Sequence, residues 1–169
     1  KGLLLSSIED PNPVIFFEHK ALYRSIQDEV PTDYYNIEIG KAKLEQEGSE
    51  VSIITYGMGL HWAKKASEHF PENSIEILDL RSLLPFDKEA ICETTKKTGK
   101  VLILHEDCLT GGIGGELSAY ISEHCFEHLD APVVRCGSMD SPVPFVKQLE
   151  DQFLASSKLD EKLRSLIEY

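Results

Sequence analysis

The side chains best suited to take part in chemistry are those of His105, Glu106 and Asp107, which directly follow an apolar run at residues 101–104. In open α/β sheets, ligands bind at the carboxyl ends of parallel strands, and this triplet would stand at such an end. An imidazole beside two carboxylates could transfer protons or bind a polar ligand. The sequence offers no nucleophile for the histidine to activate, which favours a structural role for His105.

A glycine-rich segment at residues 111–115 follows one predicted strand and precedes a predicted helix, which is where a phosphate-binding loop would lie. Counting from Gly112, a dinucleotide fingerprint needs a glycine where this chain has Leu117, and the Lys-Ser/Thr pair of a P-loop is missing. The segment 56–59 fails in the same way, because Trp62 occupies the third glycine position. The glycines at 111–115 are therefore interpreted as a turn that lets a helix pack closely on a sheet.

Two further histidines, His124 and His128, lie four residues apart on one predicted helix, so their imidazoles could share a face. A zinc site would need more ligands, and the metalloprotease motif has a glutamate directly after the first histidine, where this chain has Cys125. The pattern is more typical of a solvated helix end with a buried cysteine.

The chain has four cysteines, and they lie in otherwise well-patterned segments with no Cys-x-x-Cys pair: Cys92, Cys108, Cys125 and Cys136. An even number could form two disulfides, but the chain is not a short, cysteine-dense secreted type. We expect buried thiols in a reducing cytoplasm.

Net charge excludes two classes of partner. The 169 residues include 17 Lys and Arg against 29 Asp and Glu, a formal charge of −12. Phosphate backbones and anionic membrane surfaces are bound mainly by Lys and Arg, so no nucleic acid and no membrane are expected as partners. No apolar run approaches the ~20 residues that span a bilayer.

Strand and helix patterns alternate three times after residue 50, with connections long enough for parallel crossovers. The pattern predicts an α/β fold, a three-layer α/β/α arrangement with a mainly parallel sheet. The predicted strands are 51–56, 74–80, 100–105 and 132–136, and the predicted helices are 60–70, 87–99, 116–126, 146–154 and 160–167.

The first 50 residues follow a different pattern. Residues 3–8 predict a helix that Pro11 and Pro13 stop. The apolar run at 14–17 predicts a strand buried on both faces. The next segment with a clear strand pattern is nearly forty residues away. A short strand is predicted at 36–39 within a polar connection. The opening segment is therefore interpreted as the tail of another domain.

Several stretches together carry a family resemblance: residues 3–6, 9–18, 22–24, 29–31, 40–42, 56–57, 79–81, 84–87, 97–100, 105–106, 110–112, 129–132 and 140–144. They run through the whole chain in order. They resemble the beta subunit of 2-oxo acid dehydrogenases, the thiamine-diphosphate-dependent decarboxylating component and a relative of transketolase. The elements at 3–6, 22–24 and 105–112 are most similar to the branched-chain (2-oxoisovalerate) type.

The resemblance implies a division of the chain into the tail of an upstream pyrimidine-binding domain (1–30), a connection (31–50) and a transketolase C-terminal-like domain (51–169). It implies thiamine diphosphate and Mg²⁺ in the intact enzyme, held outside this chain, and no catalytic or cofactor-binding residue here. The implied partners are an alpha subunit or fused alpha region, a second beta region and a lipoyl acyltransferase core, in the cytoplasm.

One binding motif is carried over from branched-chain relatives. The segment that includes Ser7, Asp10 and Asn12 matches residues that help to hold a monovalent cation such as K⁺ through side-chain and backbone oxygens. Oxygen ligands suit a hard cation. The alternative is that these residues only form an Asp-Pro-Asn-Pro turn.

The resemblance implies that the intact enzyme decarboxylates a 2-oxo acid oxidatively and acylates a lipoyl group, while this region serves assembly and contacts with other subunits. A pyruvate or acetoin dehydrogenase, or a transketolase-like transfer, is the alternative within the family. A hypothesis of another class is a free-standing regulatory module that binds a small molecule at His105 and Thr110.

Overall fold

The computed structural model describes residues 1–169 and contains one sheet of five strands. The strands are β1 (Lys43–Gln46), β2 (Val51–Thr55), β3 (Ile75–Asp79), β4 (Val101–Cys108) and β5 (Val134–Ser138). The helices are α1 (Gly2–Glu9), α2 (Leu22–Ser25), α3 (Met58–Ser67), α4 (Lys88–Thr98), α5 (Gly114–His124), α6 (Lys147–Phe153) and α7 (Ser156–Ile167), and a single 3₁₀ turn covers Phe126–His128.

The sheet has the strand order β1-β3-β2-β4-β5, with β2 to β5 mutually parallel and β1 antiparallel to β3. This confirms the predicted α/β fold with a mainly parallel sheet. The carboxyl ends of the four parallel strands therefore meet at one edge, which we call the carboxyl edge: residues 55–57, 79–81, 105–110 and 138–140.

The core consists of two apolar layers, one on each face of the sheet. Alternate strand residues divide between them, because successive side chains of a strand point to opposite faces: Ile53 belongs to the first layer and Ile54 to the second. The first layer is completed by buried residues of α3 and α7, namely Ala63, Ala66, Leu159, Leu163 and Leu166. The second is completed by buried residues of α4 and α5, namely Ile91, Leu117 and Ile121.

Helix α4 begins and ends where the sequence predicts. The Asp87 carboxylate accepts a hydrogen bond from the Ala90 amide at 3.2 Å, and Gly99 ends the helix in the left-handed region with φ 65°. A Cβ added at Gly99 would also lie 2.2 Å from the Asp130 carboxylate. Both the conformation and the space at this position require glycine.

Two predicted strands near the amino terminus are wrong. Residues 14–17 form no strand, and Ile15 and Phe17 are 79% and 89% exposed, because neither edge of the sheet pairs with them. Residues 36–39 also form no strand. The strand in this region is β1, which lies within the predicted connection and pairs with β3 through Lys43 and Asp79. A bilayer-spanning helix is not found, since no helix is both long and apolar enough.

Candidate functional site at the carboxyl edge of the sheet

The imidazole of His105 lies inside the carboxyl edge, fully buried. Its Nδ1 is 3.0 Å from the Asp107 carbonyl oxygen, which can only accept, so Nδ1 carries the proton. Its Nε2 is buried without a hydrogen-bond partner. Burial lowers the pKa of His105, because the charged imidazolium would lose its hydration. His105 is therefore a neutral, structural histidine, as the sequence favoured.

The His105 ring explains why the segment at residues 111–115 contains glycines that face it. A Cβ added at Gly112 would lie 2.7 Å from Cε1 of His105, and one at Gly114 would lie 2.4 Å from Nε2. Gly137 on β5 closes the third side, where a Cβ would lie 2.8 Å from Cε1. Side chains at these positions would occupy the space of the ring, so the glycines let α5 and β5 pack against His105. This agrees with the predicted packing turn.

Glu106 connects the carboxyl edge to the amino-terminal segment. Its carboxylate lies 3.0 Å from Nε2 of His19, 87 residues earlier in the chain. Nothing in the local sequence pattern of either residue indicates this contact. The pair holds residues near His19 against the end of β4.

The remaining polar groups of the edge satisfy one another. Thr110 donates to the two carboxylate oxygens of Asp140 through its amide (2.8 Å) and its hydroxyl (2.7 Å), and these bonds lower the pKa of Asp140. Tyr56 has a raised pKa, first through burial and then through the negative charges of Asp107 and Glu106. His105 is thus buried, and Thr110, although exposed, has its amide and hydroxyl hydrogens engaged with Asp140.

The histidines and cysteine of the α5 end do not form a metal site. Nδ1 of His124 lies 3.0 Å from the Tyr120 carbonyl oxygen, His128 lies beside Glu127, and Cys125 is buried in the core. Throughout the chain, no three His, Cys, Asp or Glu residues are grouped so that they could hold a metal ion. All four cysteines are free thiols.

The candidate cation ligands lie at the end of α1. Asp10 ends the helix, and its Oδ1 accepts hydrogen bonds from the Asn12 amide at 2.9 Å and from Nδ2 of the same residue at 3.0 Å. Ser7 donates its hydroxyl to the Leu3 carbonyl at 2.8 Å. Asp10 and Asn12 are thus brought together in a turn, whereas the Ser7 hydroxyl is engaged within the helix. The donor set consists of oxygens, which fits a hard cation.

Thiamine diphosphate and Mg²⁺ do not fit the residues of this chain. The glycine loop before α5, where a diphosphate would approach a helix amino terminus, is filled by the His105 ring. No carboxylate cluster is present that could hold the divalent metal. The carboxyl edge can position a neighbouring segment, as the His19–Glu106 pair does.

Comparisons with known proteins agree with this architecture. The family model described as "Transketolase, C-terminal domain" matches residues 40–158. The solved structure "Split gene transketolase, inactive beta4 tetramer" superposes with a TM-score of 0.68 at 24% identity, covering 83% of this chain and 46% of that one, which supports the fold.

Two curated relatives are similar over most or all of the chain. "2-oxoisovalerate dehydrogenase subunit beta" of Bacillus subtilis is 44% identical over 173 residues, covering 100% of this chain and 53% of that protein. "Pyruvate dehydrogenase E1 component subunit beta" of Porphyra purpurea is 46% identical over 152 residues, covering 89% and 46%. The chain thus spans about half the length of these relatives. Because the family model matches residues 40–158 and the observed sheet agrees with it, the chain belongs to the transketolase C-terminal domain family.

Proposed function

We propose that this chain is the carboxyl-terminal part of the beta subunit of a branched-chain 2-oxo acid dehydrogenase. The observation that carries the proposal is its 44% identity, over its whole length, to a protein named as a 2-oxoisovalerate dehydrogenase beta subunit. The intact enzyme would decarboxylate the 2-oxo acid oxidatively and acylate a lipoyl group. Thiamine diphosphate, held with Mg²⁺ outside this chain, would supply the electron sink for decarboxylation.

A pyruvate-type enzyme is the second candidate, favoured by the 46% identity to a pyruvate dehydrogenase beta subunit. An artificial-acceptor decarboxylation assay tests both. The full-length protein with its alpha partner would be offered 3-methyl-2-oxobutanoate, pyruvate and acetoin at equal concentrations. We expect the branched acid to be preferred, and preference for pyruvate or acetoin would overturn the substrate assignment.

The role we propose for this region is assembly. Residues 1–30 would be the tail of a pyrimidine-binding domain and 31–50 the connection to it. The exposed apolar side chains at 14–17 support this assignment, because such a run is unfavourable in water. Several contacts join the first two proposed units, among them Lys1 donating to the Pro31 carbonyl at 2.6 Å and Ser6 donating to the Ile37 carbonyl at 2.6 Å.

The acidic surface supports docking to a lipoyl acyltransferase core through a basic segment, because complementary charge accelerates and orients association. The last helix cannot be deleted to test this, since Leu159, Leu163 and Leu166 are buried in the core. Charge reversal at Glu161 and Glu168, both exposed on the outer side of the carboxyl-terminal segment, leaves the core intact.

We expect the double variant Glu161→Lys, Glu168→Lys to associate more slowly with the core, with a difference from the unchanged protein that shrinks as salt is added. Surface plasmon resonance measures both effects. Glu29→Lys is the control, because it reverses an exposed charge in the amino-terminal segment. An association rate unchanged by the double variant would contradict docking at α7.

The proposal includes a monovalent cation site in the assembled enzyme, to which the Ser7 carbonyl, Asp10 and Asn12 would contribute oxygens. This site is supported by the turn that brings the side-chain oxygens of Asp10 and Asn12 close together. We expect Asp10→Ala to reduce the increase in thermal stability that K⁺ gives over Na⁺ in the assembled protein. If K⁺ stabilises the variant as much as the unchanged protein, Asp10 does not contribute to the site.

We also place the protein in the cytoplasm, which the four free thiols support because disulfides are rare there. Two relatives, from Arabidopsis thaliana and Dictyostelium discoideum, are named as mitochondrial. Cell fractionation tests this placement, and recovery of the protein in a membrane-enclosed compartment would contradict it.

A further inference from the structure

Two thiols meet between the helices on the second face of the sheet. Cys92 lies in the middle of α4 and Cys125 follows the last residue of α5. Their sulfur atoms are 3.0 Å apart, although the residues are 33 positions apart in sequence. A disulfide has an S–S bond of about 2.05 Å, so the two sulfurs need to approach by only about 1 Å.

The two thiols differ in their access to solvent. Cys92 is half-buried, with its sulfur 3.7 Å from the hydroxyl oxygen of Tyr120, whereas Cys125 is fully buried among core residues. Burial raises the pKa of Cys125 to about 11, and the contact with Cys92 contributes further. A small oxidant can therefore reach Cys92 first, while Cys125 keeps its proton behind it.

The other two cysteines have no thiol neighbour. The sulfur of Cys136 is fully buried against the Ala155 carbonyl at 3.4 Å. Cys108 lies at the end of β4 and directs its sulfur to the Met139 carbonyl at 3.2 Å. Only the pair on α4 and α5 is arranged for an internal bond.

We propose that Cys92 and Cys125 form an intramolecular disulfide when the protein encounters a hydroperoxide. Cys92 is the thiol that reacts with the peroxide, and Cys125 is the resolving thiol. The Cys92 thiolate would attack one peroxide oxygen, giving a sulfenic acid and releasing hydroxide. The Cys125 thiol would then attack the Cys92 sulfur and lose its proton, while the S–O bond breaks and the sulfenic oxygen leaves as water. Two thiols lose two protons and two electrons in total, and hydrogen peroxide is reduced to two waters.

The geometry favours the second step. The resolving sulfur already lies in contact with its target, and such proximity replaces an encounter between molecules by an internal reaction. Formation of the neutral sulfenic acid also removes the negative charge of Cys92, one of the causes that raise the pKa of Cys125. Disulfide formation should therefore outpace overoxidation of Cys92.

Peptide mapping tests the proposal on the full-length protein. The protein is treated with hydrogen peroxide, unfolded, alkylated with N-ethylmaleimide and digested without reductant. Cleavage after Lys and Arg leaves Cys108 and Cys125 on one peptide, residues 101–135, so a second cleavage after Glu is needed to separate them. We expect a Cys92–Cys125 cross-link that dithiothreitol removes, with Cys108 and Cys136 still alkylated.

Three variants make the result specific. Cys92→Ser should leave Cys125 alkylatable after peroxide, and Cys125→Ser should leave Cys92 as a sulfenic or sulfinic acid with no cross-link. Cys108→Ser, which changes a half-buried thiol outside the pair, should retain the cross-link. The proposal is overturned if Cys92 and Cys125 both stay alkylatable at a peroxide dose that oxidises Cys108. It is also overturned if Cys92 pairs with another chain or becomes a sulfinic acid while Cys125 stays free.

Discussion

At the residue scale, His105 couples the stability of the fold to pH. Its pKa in the folded protein lies below the ordinary value of 6.5 because the ring is buried. As pH falls below about 6.5, the unfolded chain binds a proton at this position that the folded chain does not, so stability decreases with falling pH. The loss continues until the pH reaches the lowered pKa of the folded state.

Replacing His105 by Asn should flatten this dependence, because the amide can still donate to the Asp107 carbonyl but cannot titrate. Between about pH 7 and pH 5, we expect the free energy of unfolding of the unchanged protein to fall more steeply than that of the variant, by up to about 1.4 kcal/mol per pH unit. Urea unfolding at several pH values measures the slopes. Parallel curves would show that His105 does not titrate between the two states.

Some properties of single residues follow from the local sequence, and others depend on distant parts of the chain. His105 could be assigned a structural role because it follows an apolar strand with no nucleophile nearby. The contacts His19–Glu106 and Cys92–Cys125 could not be predicted, because they join residues 87 and 33 positions apart. Glu76 was likewise missed: it is 2% exposed in the middle of β3, where Thr94 and Lys97 donate hydrogen bonds to it.

At the element scale, the packing of α5 depends on which glycine of its first turn faces the sheet. Gly114→Ala should destabilise the fold by about 1–3 kcal/mol, since its Cβ would lie 2.4 Å from Nε2 of His105. Gly115→Ala is the matched control: its Cβ would lie 3.6 Å from Arg135, an ordinary contact, and alanine favours the helix by up to about 1 kcal/mol. Thermal unfolding of the two variants measures the difference, and equal melting temperatures would refute this account of the loop.

Predictions of helices and strands are confirmed where local sequence signals and tertiary packing agree. Helix α4 has an aspartate cap at Asp87 and a glycine stop at Gly99, and both ends lie where they were predicted. The run at 14–17 has the hydrophobicity of a buried strand but no strand beside it, since backbone pairing depends on a partner that local sequence cannot supply. Strand β1 was missed for the opposite reason: its Lys-Leu-Glu-Gln sequence is polar, and pairing with β3 makes it a strand.

At the scale of the whole molecule, the sheet was predictable because four apolar runs are separated by crossovers of helical length, which leaves few alternative topologies. The polar groups at its carboxyl edge pair with one another and with His19, so in this structure the edge joins neighbouring segments of the chain. The fold alone does not specify a reaction, so the proposed assignment to a 2-oxo acid dehydrogenase rests on the relatives.

The measurement that tests the central claim most directly is reduction of an artificial electron acceptor by the full-length protein and its alpha partner with 3-methyl-2-oxobutanoate. We predict activity that requires both proteins and added thiamine diphosphate, and that exceeds the activity with pyruvate. Absence of thiamine-dependent decarboxylation of every 2-oxo acid tested, in a correctly assembled complex, would contradict the account.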